Sequence, residues 1–304
     1  MTIKLTGLVA ATHTPFHADG SLNLAAVEKQ AEHLLRTGVS TVFIGGTTGE
    51  SSSLSVDERL ALAQRWAEIA RQTPMRVVVH VGANSIADAK ALAAQAQSLG
   101  ASAIAALCPS YFKPASIDAL VAGSVEIASA APALPFYYYD IPSMTGVTHS
   151  SPAFLEAAAS KIPTLAGIKF TNSDLAAYQR CLHAEGGRFD MPFGLDEFLL
   201  AALALGATGA VGSSYNFAAP IYLRIIAAFA HNDLATARQE QLRSVQLIEL
   251  LSRYGYMAAA KATMGFLGVD VGAPRLPNMS LSPGRQVELR GGLERLGFFD
   301  WVGS

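Results

Sequence analysis

The chain has 304 residues, 51% of them hydrophobic and only 15% charged, with a formal net charge of −2. That length and apolar content support a large buried core and exclude a disordered chain. The near-neutral balance gives no electrostatic reason to expect nucleic acid or an anionic membrane as partner.

Short β-branched or aromatic runs alternate with Ala/Leu/Glu-rich stretches along most of the chain. The first strand is expected at 7–12 and is followed by a helix at 22–35. A strand at 41–45 leads to a helix at 56–70, and a strand at 76–81 to a helix at 86–99. Further strands are expected at 102–108, 135–140, 164–170, 189–194 and 209–213. Several of these runs are apolar without clean alternation, as in a parallel sheet covered on both faces. Eight strands with intervening helices predict a closed (β/α)₈ TIM barrel, a fold of roughly 250 residues as one domain. An open dinucleotide-binding sheet would show G-x-G-x-x-G after its first strand; that turn reads Ala11-Thr12-His13-Thr14-Pro15-Phe16 instead.

Helical patterns then continue at 234–251, 257–267 and 284–296. No Ser/Gly-rich linker sets them apart, so the expected division is a catalytic barrel over 1–230 and a C-terminal helical extension over 231–304 packed on it. Two charge-free stretches, 91–112 and 198–223, raise the question of a membrane span. Gln95, Gln97, Gly100 and Pro109 interrupt the first; Gly206, Gly209, Gly212, Asn216 and Pro220 interrupt the second, and no membrane partner is expected. The opening Met1-Thr2-Ile3-Lys4-Leu5-Thr6-Gly7 lacks the apolar core of a signal peptide. The two cysteines, Cys108 and Cys181, form no C-x-x-C pair. The simplest setting is therefore reducing and cytoplasmic.

Barrels carry their active sites at the C-terminal ends of the strands. Lys169 lies there, inside the apolar run Leu165-Ala166-Gly167-Ile168-Lys169-Phe170. A lysine stripped of water favours the neutral amine, which attacks carbonyls; the plainer account is a lysine that snorkels or pairs with a carboxylate. Gly46-Thr47-Thr48-Gly49 offers two hydroxyls and backbone N–H groups to a carboxylate, or is an ordinary capped turn. In Tyr137-Tyr138-Tyr139, the outer two share a face. Tyr139 is then either a proton relay beside Lys169 or core packing. Asp196 and Glu197 open a helix after the seventh strand; they either bind the hydroxyls of a polyol or serve the helix dipole. Gly212-Ser213-Ser214 falls where many barrels bind phosphate, yet the next cation is Arg224. The seven histidines are scattered, so no metal site is expected; His13 and His80, near strand ends, suit packed, hydrogen-bonded roles.

Five segments, in order, resemble the N-acetylneuraminate lyase and dihydrodipicolinate synthase family of pyruvate-dependent aldolases. They are Thr14-Pro15-Phe16, Gly46-Thr47-Thr48-Gly49-Glu50, Pro135-Phe136-Tyr137-Tyr138-Tyr139-Asp140-Ile141-Pro142, Gly167-Ile168-Lys169-Phe170 and Gly209-Ala210-Val211-Gly212-Ser213. The resemblance spans nearly the whole chain. It implies that Lys169 forms the Schiff base, Tyr139 relays the proton, and Thr47 and Thr48 hold the pyruvate carboxylate. Thr171, Gly194, Asp196, Glu197, Gly212 and Ser213 would line the sugar-chain pocket. Tyr111 looks like the tyrosine that the family inserts into a neighbouring subunit, implying a homotetramer. The implied reaction needs no metal or cofactor.

The synthase branch carries an arginine shortly after the catalytic tyrosine, where this chain has Met144. A thioether supplies no charge for an aldehyde's carboxylate, so the lyase branch resembles this sequence better. The activity implied is cleavage of N-acetylneuraminate to pyruvate and N-acetylmannosamine. Asp140 departs from the Asn or His expected after the tyrosine and leaves fine specificity open. The other readings are an aldolase or dehydratase for 2-keto-3-deoxy sugar acids, and a non-catalytic keto-acid sensor.

Overall fold

The computed structural model describes residues 4–303, so Met1–Ile3 of the opening segment read for a signal peptide lie outside the described residues. Seven parallel strands form one sheet: β1 (Gly7–Ala11), β2 (Thr41–Ile44), β3 (Arg76–His80), β4 (Ala103–Ala106), β5 (Phe136–Asp140), β6 (Leu165–Phe170) and β7 (Gly209–Gly212). Their order is β6-β5-β4-β3-β2-β1-β7. The chain after β6 bridges the two edges. Asp190 pairs with Gly167 of β6, while Phe193 pairs with Phe170 on one side and Ala210 of β7 on the other.

The barrel thus closes, but not with the eight regular strands expected. The 189–194 segment is held by isolated bridges because Pro192 has no N–H to donate to a ladder. Its carbonyl still accepts from Phe170 N–H at 3.0 Å, and the Phe193 carbonyl accepts from Val211 N–H at 2.8 Å.

Residue parity along each strand sorts side chains into two cores. Val9, Phe43, Val78, Ala105, Tyr137, Tyr139 and Val211 point into the barrel. Leu8, Val42, Val77, Ile104, Tyr138 and Ile168 pack outward against the helices. The pairing of β5 with β6 slips by one residue: Phe136 faces Leu165, but Tyr137 faces Gly167. Ala166 is the extra residue of a β-bulge. Gly167 is required there because a Cβ would collide with the Asp190 backbone.

Helices Ala26–Arg36, Val56–Ala70, Ile86–Ser98 and Ile117–Ser129 cover the outside of the first strands. The helix at 56–70 starts with a capping box, Ser55 and Glu58 each accepting from the other's backbone N–H. Beyond β7 come helices Tyr215–Ala230, Leu234–Arg253, Tyr256–Phe266 and Pro283–Leu296, and then the short helix Phe298–Val302. Among the described residues, no helix is long and apolar enough to cross a membrane.

Candidate active site

The β5–β6 register sets Lys169 directly beside Tyr139 at the C-terminal mouth of the barrel. Both are 3% exposed. The Lys169 Nζ lies 3.7 Å from the centroid of the Tyr139 ring and donates to the Thr171 hydroxyl at 2.8 Å. The Tyr139 hydroxyl is 3.2 Å from the Thr47 hydroxyl. The four groups therefore form one connected set drawn from β5, β6 and the turn after β2.

Two aromatic neighbours fix the Tyr139 ring. Phe43 and His80 meet it edge-on, with centroids 5.6 and 5.7 Å away. His80 Nδ1 lies 2.8 Å from the Gly45 carbonyl; a carbonyl only accepts, so Nδ1 carries the proton. Burial, then the Arg59 guanidinium, lowers the His80 pKa to about 3, and the ring stays neutral. Arg59 in turn donates to the His80 and Gly82 carbonyls at 2.7 and 2.9 Å. The histidine is a packed support for the turn. His13, also fully buried, is held at about pKa 3 by burial and the Lys261 ammonium.

These residues open into a cavity of about 290 Å³. Thr47, Thr48, Tyr139, Lys169, Thr171, Gly194, Asp196, Glu197 and Ser213 all line it, so the structure brings these sequence-nominated residues together. Gly212 acts from behind: a side chain there would strike the Asp196 carboxyl. Tyr111 lies apart from this lining, 77% exposed on the loop after β4, with its ring edge-to-face against Phe112.

Asp196 is more constrained than the sequence suggested. Its carboxyl accepts from the Ser214 backbone N–H at 2.9 Å and from the Ser214 hydroxyl. The Ser214 hydroxyl also bonds Tyr222, which reaches Ser244 at 2.8 Å. Burial pushes the Asp196 pKa up to about 6, against the bonds from Ser214. Asp196 therefore ties the mouth of β7 together while facing the cavity. Glu197 is half-buried on the same wall.

Sequence reading missed the extension's contribution. Ile248, Tyr256 and Met257 complete the lining, and the Tyr256 hydroxyl is 2.7 Å from that of Ser213. The only local signal was an aromatic at a helix start after Gly255, which has φ 84°. Phe43 was likewise not placed in the lining; Met144, singled out in the sequence where the synthase branch has its arginine, is 61% exposed at the rim. Among the described residues, no group of three or more His, Cys, Asp or Glu side chains could hold a metal ion.

Asp140 points away from this centre. Its carboxyl accepts from the Ser151 hydroxyl at 2.8 Å and Asn172 Nδ2 at 3.2 Å, and burial raises its pKa.

Comparison with known proteins places this geometry among relatives. The model of the dihydrodipicolinate synthetase family matches residues 4–296. Mouse N-acetylneuraminate lyase is 42% identical over 278 residues, covering 90% of this chain and 87% of the mouse protein. The structure of N-acetylneuraminate lyase from Proteus mirabilis superposes with a TM-score of 0.94 at 42% identity, over 97% of this chain and all of that one. Dihydrodipicolinate synthase from Bacillus anthracis superposes at 0.89 with 26% identity, covering 96% and 98% of the two chains.

Proposed function

Since this chain belongs to the dihydrodipicolinate synthetase family, we propose that it is an N-acetylneuraminate lyase working through a Schiff base at Lys169. As a carbon–carbon lyase it splits the open-chain sugar acid reversibly into pyruvate and N-acetylmannosamine. The observation that carries this reading is the pairing of a buried lysine with Tyr139, opposite two threonine hydroxyls, at the mouth of a barrel.

Lys169 Nζ adds to the C2 ketone and loses water to give an iminium. Thr47 and Thr48 hold the adjoining carboxylate with hydroxyl and backbone donors. Tyr139, together with the substrate carboxylate, receives the proton of the C4 hydroxyl. The C3–C4 bond breaks, its electron pair entering the iminium, and the aldehyde leaves. The resulting enamine takes a proton at C3, and water releases pyruvate and the free lysine.

The second substrate decides the branch of the family. Met144 stands at the rim without charge, so it offers the carboxylate of a semialdehyde no cation to pair with. The test is product analysis after incubation with N-acetylneuraminate, beside a panel of 2-keto-3-deoxy sugar acids and the pair pyruvate plus aspartate semialdehyde. Pyruvate and N-acetylmannosamine should appear, with no useful condensation of the semialdehyde. Faster turnover of another keto acid, or robust condensation, would reject the assignment.

Asp196 and Glu197 are proposed to accept hydrogen bonds from the sugar chain. Such charged bonds contribute about 1.5–3 kcal/mol each, so Glu197→Gln should lower kcat/KM for N-acetylneuraminate about 10–100-fold with pyruvate binding kept. For Asp196 the ionised form is the acceptor, and its folded pKa is raised from 3.8 to about 6. Activity should rise with pH through that region, and the limb should vanish in Asp196→Asn. The same shift has a stability sign: between about 4 and 6 the folded state holds a proton that the unfolded chain has lost, so stability falls as pH rises there. If both variants lose melting temperature and retain the wild-type substrate ranking and pH profile, the pair is structural.

The same proposal covers assembly and setting. Tyr111 would enter a neighbouring subunit's site in a homotetramer; the exposed Tyr111–Phe112 ring pair supports this. So does Asn84, whose side-chain Oδ1 accepts from the Ser110 and Tyr111 N–H groups and fixes their loop. Free, buried Cys108 and Cys181 suit a cytoplasmic setting. The catalytic unit would be residues 1–230, with 231–304 as an extension that finishes its pocket.

A further inference from the structure

We infer that Lys261 and Glu50 are a positioning pair that sets the two-threonine turn against the C-terminal extension. The inference rests on the pyruvate site proposed above. Glu50 directly follows Thr47-Thr48-Gly49, and its backbone is left-handed, with φ 56°. A residue with a side chain keeps that conformation only where its surroundings impose it.

Both carboxylate oxygens of Glu50 are committed to the extension. Oε1 accepts from Lys261 Nζ at 2.7 Å, and Oε2 accepts from the Arg275 backbone N–H at 2.8 Å. Both side chains are 1% exposed. Lys261 Nζ also donates to the Ala273 carbonyl at 3.2 Å and lies 4.2 Å from the Phe16 ring centroid. Nothing in the proposed reaction uses either charge, and neither residue lines the cavity.

What the pair does is mechanical. Glu50 N–H donates to the Thr47 carbonyl at 3.0 Å, and Ser51 N–H to the Gly46 carbonyl at 3.2 Å, so the Glu50 backbone closes the turn that presents both threonines. Thr14 holds the same turn from the other side, its hydroxyl donating to the Gly49 carbonyl at 2.7 Å. Lys261 sits on the helix whose first turn puts Tyr256 and Met257 into the cavity. One rigid helix thus anchors the carboxylate-binding turn and forms part of the facing wall. Removing one charge strands the other in the interior, and the turn must move to relieve it.

The experiment uses the full-length protein with Lys261→Met, Lys261→Gln and Glu50→Gln. Each is titrated with pyruvate under borohydride well below its melting temperature, and the Lys169 adduct is measured by peptide mass. The pyruvate concentration at half-maximal trapping should rise about 10–100-fold, the scale of a small misplacement of binding groups. The plateau should remain one adduct per chain. Lys261→Gln keeps N–H donors and should fold even where methionine is not tolerated, with a smaller shift. Lower melting temperature with unchanged half-saturation in the folded variants would overturn the inference, because a purely structural pair predicts that result. A wild-type protein that traps no pyruvate would instead remove the proposed function on which the inference stands.

Discussion

Lys169→Met is expected to abolish the reducible pyruvate adduct and to slow cleavage of N-acetylneuraminate about 10⁶-fold, the scale seen when a covalent nucleophile is deleted. Methionine suits the test because the site is 3% exposed and the replacement fills similar space without an amine. The cost to folding should be small: the change removes one hydrogen bond, to the Thr171 hydroxyl, and the contact of Nζ with the Tyr139 ring. Borohydride with pyruvate should add one three-carbon unit to the wild-type peptide containing residue 169 and nothing to the variant. Lys261 is the internal control, since it is also buried, among the described residues, but committed to Glu50. A label on Lys261, or an undiminished label in the variant, would end the Schiff-base reading.

Tyr139→Phe should retain the fold and the pyruvate adduct while lowering turnover about 10²–10⁴-fold, the usual worth of a positioned acid–base group. The ring has its own reasons to stay. It packs edge-on against Phe43 and His80 and lies under Lys169 Nζ, contacts a phenylalanine keeps. Only the hydroxyl and its 3.2 Å contact with Thr47 are lost. Single-turnover measurements separate the steps: iminium formation should persist while bond cleavage slows. Wild-type turnover in this variant would leave Tyr139 as packing alone.

The parts of this molecule that were legible in the sequence are those with local causes. Runs such as Arg76–His80 and Phe136–Asp140 are β-branched or aromatic and lie between helical patterns, so their strands were expected within a residue or two. The helix Val56–Ala70 has its expected bounds and carries its own capping box. The five motif segments nominated a site whose residues meet in one cavity. What escaped detection depends on pairing. The 189–194 segment reads as a strand, yet Pro192 leaves it with bridges alone. Tyr256, Met257 and Ile248 reach the cavity only because the extension folds back over the barrel. Asp196 read as a helix-start carboxylate, but its bond is to Ser214, on the next βα turn.

The additional residue in β6 has a consequence for how this nucleophile arises. On a regular strand, residues an odd number apart face opposite ways. Leu165 looks toward the helices, and Lys169 is four positions further on, so an unbroken strand would turn its amine outward as well. The insertion at Ala166 inverts that parity, and the lysine enters the barrel beside Tyr139. The identity of the reacting group is thus encoded by position 169, whereas its orientation depends on a bulge upstream that absorbs the extra residue. Flattening the bulge with Ala166 kept would aim the amine at a hydrocarbon layer, whereas deleting Ala166 along with the bulge would leave Leu165 and Lys169 an odd number of positions apart and the amine still turned inward. Transplanting this chemistry onto another barrel requires that the extra residue and the bulge be copied together or omitted together.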